Sequence, residues 1–316
     1  MATSGTSVFT VTRDQVIRQS MLNIGVLDGD EAPTAQEISD CSFILNMLVK
    51  QWQGTADYAP GLKTWKRRRG SLFLSTQSGS YTLGPGAIGW TEDYIETTVG
   101  LSASLGDGSI VVSSVSGVVA TNKIGIQLAS GNLQWTTIAS IVGTTVNLTD
   151  TLITGVSAGA KVYVYSVTAN QPLVIEAAVL RDSNGNDQPL RLLEQPEYDM
   201  LPSKVSVGNQ GGPTAIYYEF QRENSNLFID SAGVVDVTRH IVLTYIEAVQ
   251  SVINPLDELE YPQEWFLPLC WGLSEQIAPM FHVDFTPQME KAYKTSLSIA
   301  QRKEPEKSRM FFQVNE

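Results

Sequence analysis

Histidine and cysteine are scarce in this chain, two of each among 316 residues. Those side chains most often ligate metals or carry nucleophilic chemistry. His240 and His282 stand in no metal-ligand spacing, and neither lies beside a Ser or Cys of nucleophile-elbow form. Both are expected to be ordinary surface or half-buried residues. Cys41 and Cys270 fall in predicted helices without the pattern of a disulfide framework or metal pair, and they read as small apolar core residues. Basic charge is also short, with 21 Lys and Arg against 33 Asp and Glu and a net charge of −12. That excludes a broad nucleic-acid-binding surface, because such surfaces bind by releasing counterions to clustered cations. No window approaches the roughly 18 apolar residues of a membrane-spanning helix. The start, MATSGTSVF, lacks the basic and apolar regions of a secretory signal, so an intracellular origin is expected and the Asn147–Thr149 sequon reads as a turn.

Catalytic motifs are missing as well. No GxxxxGK[ST] loop occurs. GPGAIG (84–89) has the letters of a dinucleotide fingerprint, but Pro85 sits in the turn and no helical pattern follows, so it reads as a tight β turn. DSNGNDQPL (182–190) begins like a calcium loop, yet its sixth position is Asp187 rather than Gly and its twelfth is Leu193 rather than Glu. Acidic neighbours such as Glu92/Asp93 and Asp257/Glu258 are adjacent in sequence only and make no glycosidase pair by themselves. The sequence therefore predicts neither an enzyme nor a cofactor nor a metal site.

What is present is helical pattern at both ends. Hydrophobic content is 42% and charged content 17%, as in a globular chain of about two domains. Thr12 with Gln15 and Thr34 with Glu37 have capping-box form and open helices over 12–24 and 34–52. In the second, Ile38, Cys41, Leu45, Leu48 and Trp52 form a narrow apolar seam. Near the other end, YPQEWFLPLCWGLSEQIAPMF (261–281) carries Trp265, Phe266, Leu269, Leu273 and Ile277. The helix over 286–303 turns Met289, Tyr293, Leu297 and Ala300 inward. Pro268 would cost about 3 kcal/mol in a helix interior, so that helix either starts near Trp265 or kinks. None of the four can bury its apolar face alone, and packing all four together is the simplest solution.

Between them the period changes to two. SLFLS and SYTLG predict a hairpin, and 101–165 a self-contained block of short strands, a small sandwich or barrel inserted in a larger sheet. LVIEAAVLRDSNGNDQPLRLLE (173–194) predicts a long hairpin turning at Asn184-Gly185. One helical turn at 197–204 and strands at 215–223, 226–231 and 240–249 complete the pattern. The expected fold class is α+β: a helical bundle of 1–62 and 255–303, with a large antiparallel, sandwich- or barrel-like β region (63–254) inserted between them. A C-terminal extension (304–316) follows. Two segments stand out as partner contacts. LKTWKRRRG (62–70) packs Lys63, Lys66, Arg67, Arg68 and Arg69 into the one dense basic cluster, which reads equally well as a solvated linker. The charged tail carries Met310, Phe311 and Phe312, suited to docking on a neighbour.

The order LNMLVKQWQ, then GGPTAIYYEFQRE…LFID…IVLTYIEAV, then LDELEYPQEWFLPLCWGLSEQIAPMF and a last helix resembles the head-to-tail adaptors of short-tailed bacteriophages, also called tail tubular protein A or portal adaptors. The likeness covers the two ends and about 172–303, with its best marks at Pro262–Trp265, Trp271–Ala278 and Pro279. Pro268 departs from the smoother helix expected there. The resemblance implies a virion protein at the head–tail junction, assembled in the host cytoplasm as a ring of roughly twelve copies. It further implies the portal above, a tail nozzle or tube protein below, tail fibres as further partners, and DNA passing through the lumen without sequence-specific contact. A dozen chains at −12 each would carry a charge of order −140, and DNA would not adhere to a bore lined by part of it. The alternative is a receptor- or glycan-binding β module of a phage tail, with Trp135 as a stacking residue unless it packs inside the 101–165 block. A cell-wall hydrolase, testable by a zymogram, has nothing in the residues to recommend it.

Overall fold

The structure, a computed structural model, describes residues 9–54, 64–76, 78–201, 212–230 and 236–302. The class is mixed α+β, as expected, with five α-helices among the described residues. Two compact units divide the chain, Met1–Lys66 with Val249–Glu316, and Arg67–Ala248.

In the first unit α1 (Arg13–Asn23) opens on the predicted capping box, the Gln15 N–H donating to the Thr12 hydroxyl while the Thr12 N–H donates to Gln15 Oε1. Thr34 and Glu37 cap α2 (Ala35–Gly54) in the same reciprocal way. Pro262 leads into a 3-10 turn (Gln263–Trp265) that runs into α4 (Phe266–Ile277). Pro268 is therefore the third residue of α4, where the backbone N–H has no intrahelical acceptor, and its cost disappears. A nine-residue connection leads to α5 (Pro287–Arg302), which Thr286 caps.

Buried side chains from α1, α2, α4 and α5 share one hydrophobic core. Leu45, Leu48, Phe266, Leu269, Leu273 and Ile277 are buried in it, Trp265 is completely enclosed, and Trp52 and Leu297 pack against it half-buried. Small residues set the close approaches. Ser20 on α1 donates its hydroxyl to the Cys270 carbonyl and Ser274 on α4 donates to the Ser20 carbonyl, at 3.0 and 2.9 Å. A Cβ on Gly272 would stand 3.1 Å from the Trp52 ring and 3.4 Å from that of Tyr293. Leu48 lies by Gly272 and Trp52 by Trp265, so α2 runs antiparallel to α4. The nine-residue connection, with Tyr293 beside Gly272, brings α5 back antiparallel to α4 too.

The second unit begins with β1 (Arg67–Phe73), β2 (Ser80–Leu83) and β3 (Trp90–Thr91). Six strands follow: β4 (Ile95–Leu101), β5 (Ser109–Val112), β6 (Lys123–Gln127), β7 (Leu133–Val142), β8 (Thr145–Leu148) and β9 (Lys161–Tyr165). Then come β10 (Pro172–Arg181), β11 (Asp187–Leu193), α3 (Gln195–Asp199), β12 (Ala215–Glu219), β13 (Ser225–Ile229) and β14 (His240–Glu247). β4 to β9 close into a barrel in the order β4-β5-β8-β7-β6-β9, and the other eight form a sheet, β2-β13-β12-β11-β10-β14-β1-β3. The inserted block is thus a barrel, and it starts at Ile95 rather than 101. The β10–β11 hairpin turns where expected, with Gly185 at φ 84°.

One expected pairing is wrong. β1 and β2 make no hairpin; β1 pairs with β14 and β3, and β2 with β13 at the sheet edge. Burial gives the reason. The last four residues of β1 are buried on both faces, which suits an interior strand, whereas β2 is mostly uncovered.

Two tryptophans lie over glycines. A Cβ on Gly70 would come within 2.2 Å of the fully buried Trp90 ring, and one on Gly125 within 2.6 Å of Trp135, its cross-strand partner. Trp135 is partly buried and packs on the Phe73 and Tyr165 rings, so it can give way only by disturbing that packing. Gly125→Ala is therefore expected to destabilise the protein by about 1–3 kcal/mol, read as a lower urea midpoint with unchanged slope.

Candidate functional site

The basic segment is the first candidate. Lys63 falls outside the described residues, as do Met310, Phe311 and Phe312. Lys66 ends a 3-10 turn (Thr64–Lys66) and is only 2% exposed, with Nζ donating to Glu260 Oε2 at 2.6 Å. A lysine this enclosed cannot meet an outside partner, so its expected role is corrected: it ties residue 66 to the 249–262 segment. Trp65 draws it there, packing on Tyr261 and Trp265 and donating Nε1–H to the Glu260 carbonyl at 2.9 Å. Burial, and then the charge of Lys66, hold the Lys50 ammonium below the usual lysine range.

Arg67, Arg68 and Arg69 are the first residues of β1 rather than a solvated linker. Alternation along the strand puts Arg68 on the opposite face from the other two. Arg67 Nε donates to Glu176 Oε2 at 2.6 Å, and Arg68 Nε reaches Glu247 Oε2 at 3.5 Å. Arg69 is exposed, and after the bonded Arg181 its charge helps hold the Asp187 carboxyl below the usual range. The three cations diverge instead of converging on one phosphate-sized site.

His240 is not a surface residue. It is 4% exposed, at the start of β14, against the rings of Phe73 and Tyr94. Its Nε2 lies 3.3 Å from the Tyr94 hydroxyl, while Nδ1 has no hydrogen-bond partner. Burial and then the nearby Arg181 push its pKa down to about 4. The aromatic run Phe73, Tyr94 and Tyr163 that encloses it joins one face of the sheet to the barrel wall. Trp135 belongs to the same layer. It faces out of the barrel but is covered by Phe73 and Tyr165, so it offers no open stacking platform.

Other candidates turn out to be structural. Asp182 accepts the Asn184 and Asn186 N–H groups at 2.9 Å each, which makes the calcium-like stretch a hairpin tip. Asp257 accepts N–H groups from Ile253 and Asn254, and Glu92 accepts the Tyr245 hydroxyl. Cys41 and Cys270 are buried, which pushes their thiols up to about 11 and 12. Among the described residues no three His, Cys, Asp or Glu side chains are grouped to hold a metal, and no helix is long and apolar enough to cross a membrane. No family model matches the sequence, and no curated protein matches it.

Sequence reasoning missed the outer face of α2. Phe43 and Met47 stand one turn apart, opposite the buried seam, and are 67% and 50% exposed. The signal was available, since their spacing places them together on the far side of Cys41, Leu45 and Leu48. A helix with apolar side chains on both faces has more than its own core to cover.

Proposed function

We propose that this protein is a structural virion component, a ring-forming head-to-tail adaptor that docks under a portal and continues the DNA channel into the tail. In this reading α1, α2, α4 and α5 act as one bundle built from both chain ends, and the β region is an insertion between them. The observation that carries it is the single core shared by helices more than two hundred residues apart in sequence. Such a unit leaves outer helical faces that can repeat around an axis. The acidic balance fits a bore through which DNA passes without adhering.

Purified protein imaged alone and with a portal ring tests this directly; a closed ring on the portal is expected, and a chain that never assembles in either condition refutes it. Removing residues 305–316 is expected to leave a folded protein that no longer joins filled heads. Normal particle yield after this truncation would remove Met310, Phe311 and Phe312 from the contact. Neutralising Arg67, Arg68 and Arg69 together is expected to weaken assembly more than folding, and unchanged particle yield would return them to strand surface.

A further inference from the structure

We infer that the outward faces of α2 and α5 meet between neighbouring copies of this chain, an interface that rests on the ring reading above. The exposed side of α2 carries Asp40, Phe43, Met47 and Lys50 at helical spacing. The exposed side of α5 carries Lys291, Lys294 and Ile299, with Ile299 54% exposed. Lys294 already has Glu290 as a partner one turn back, which leaves Lys291 as the charge offered outward.

Lys50 donates its ammonium to the Val249 carbonyl of its own chain, and Asp40, which accepts from Gln36, is the charge on α2 that matches Lys291 in sign and in spacing. Asp40 precedes Met47 by two turns, and Lys291 precedes Ile299 by just over two, roughly 11 Å along either axis. Set side by side in parallel, the carboxylate meets the ammonium where Phe43 and Met47 meet Ile299. Within one chain both helices run antiparallel to α4, hence parallel to each other, and in a ring whose axis lies along them the neighbouring copy meets them in the same parallel sense. Trp52 of α2 and Tyr293 of α5 meet over Gly272 of α4, and the exposed rows of both helices turn away from the shared core. The patches differ, so the contact is heterologous, and a heterologous contact closes into a ring when its rotation allows.

The test uses full-length protein across a concentration series, read by mass photometry and negative-stain imaging, with folding of each variant checked by circular dichroism. Phe43→Glu with Met47→Glu is expected to abolish rings. Asp40→Arg and Lys291→Glu, each alone, are expected to raise the concentration of half-assembly about tenfold, and the two combined to restore it to within about threefold. Met47→Cys with Ile299→Cys in one chain is expected to give copy-to-copy disulfides on mild oxidation, since Cys41 and Cys270 are buried. Rings that persist in the Phe43/Met47 variant overturn the interface and leave the ring reading standing. Loss of rings there, without charge rescue or disulfide formation, overturns α5 as the partner face. A wild-type chain that stays monomeric at every concentration and beside a portal overturns both.

Discussion

Trp265→Ala is expected to lower the unfolding free energy by about 3–5 kcal/mol. Trp265 is fully enclosed, the place where two elements remote in sequence meet. The Trp52 ring lies 6.1 Å away edge-on and that of Trp65 5.8 Å away, bringing the end of α2 and the residues before β1 onto the start of α4. Truncation removes the large apolar area and leaves a cavity bounded by rigid rings, which collapse poorly. Urea unfolding followed by far-ultraviolet circular dichroism should show the midpoint shift. Trp265→Phe, which keeps a ring in place, should lose well under half as much. A loss below about 1 kcal/mol for the alanine variant would mean that the cluster relaxes to fill the space.

Acidification is expected to destabilise the protein through His240. The folded-state pKa is pushed down to about 4 from 6.5. The unfolded chain thus binds the proton first: the contribution is complete above pH 6.5 and is lost as pH falls towards 4. The span corresponds to roughly 3 kcal/mol. The groups facing the imidazole are Arg181, Asp187, Glu96 and the Tyr94 hydroxyl; Arg181 reinforces the depression and the two carboxylates oppose it. His240→Phe should fill the same aromatic layer without an orphaned Nδ1. The difference in stability between wild type and variant should therefore change with pH between 4 and 6.5 and be flat above. A difference independent of pH would mean that the imidazole takes up its proton as readily in the fold as in the unfolded chain.

Much of the local structure was legible in the residues. Thr12 with Gln15 and Thr34 with Glu37 marked helix starts, because a hydroxyl and a carboxylate or amide three residues apart satisfy otherwise orphaned N–H groups. Asn184-Gly185 marked a hairpin, since Gly185 accepts a positive φ at no steric cost. Pairing was less legible. SLFLS and SYTLG look like hairpin arms, but a strand with both faces covered takes its neighbours from wherever the sheet supplies them, and β1 found β14 some 170 residues away. The basic run misled for a related reason. Five cations in sequence read as one patch, yet a strand sends alternate residues to opposite faces, and Lys66 is enclosed where it meets Glu260.

By itself the sequence determined where α1, α2 and the turn at Asn184-Gly185 begin and which stripe of each long helix is buried, because those depend on neighbours within about four residues. Tertiary structure alone decided that β4 to β9 close on themselves, that Pro268 falls in a first turn, and that His240 is buried among rings. Each of these depends on which distant surface arrives to cover a given side chain, and no local pattern encodes that.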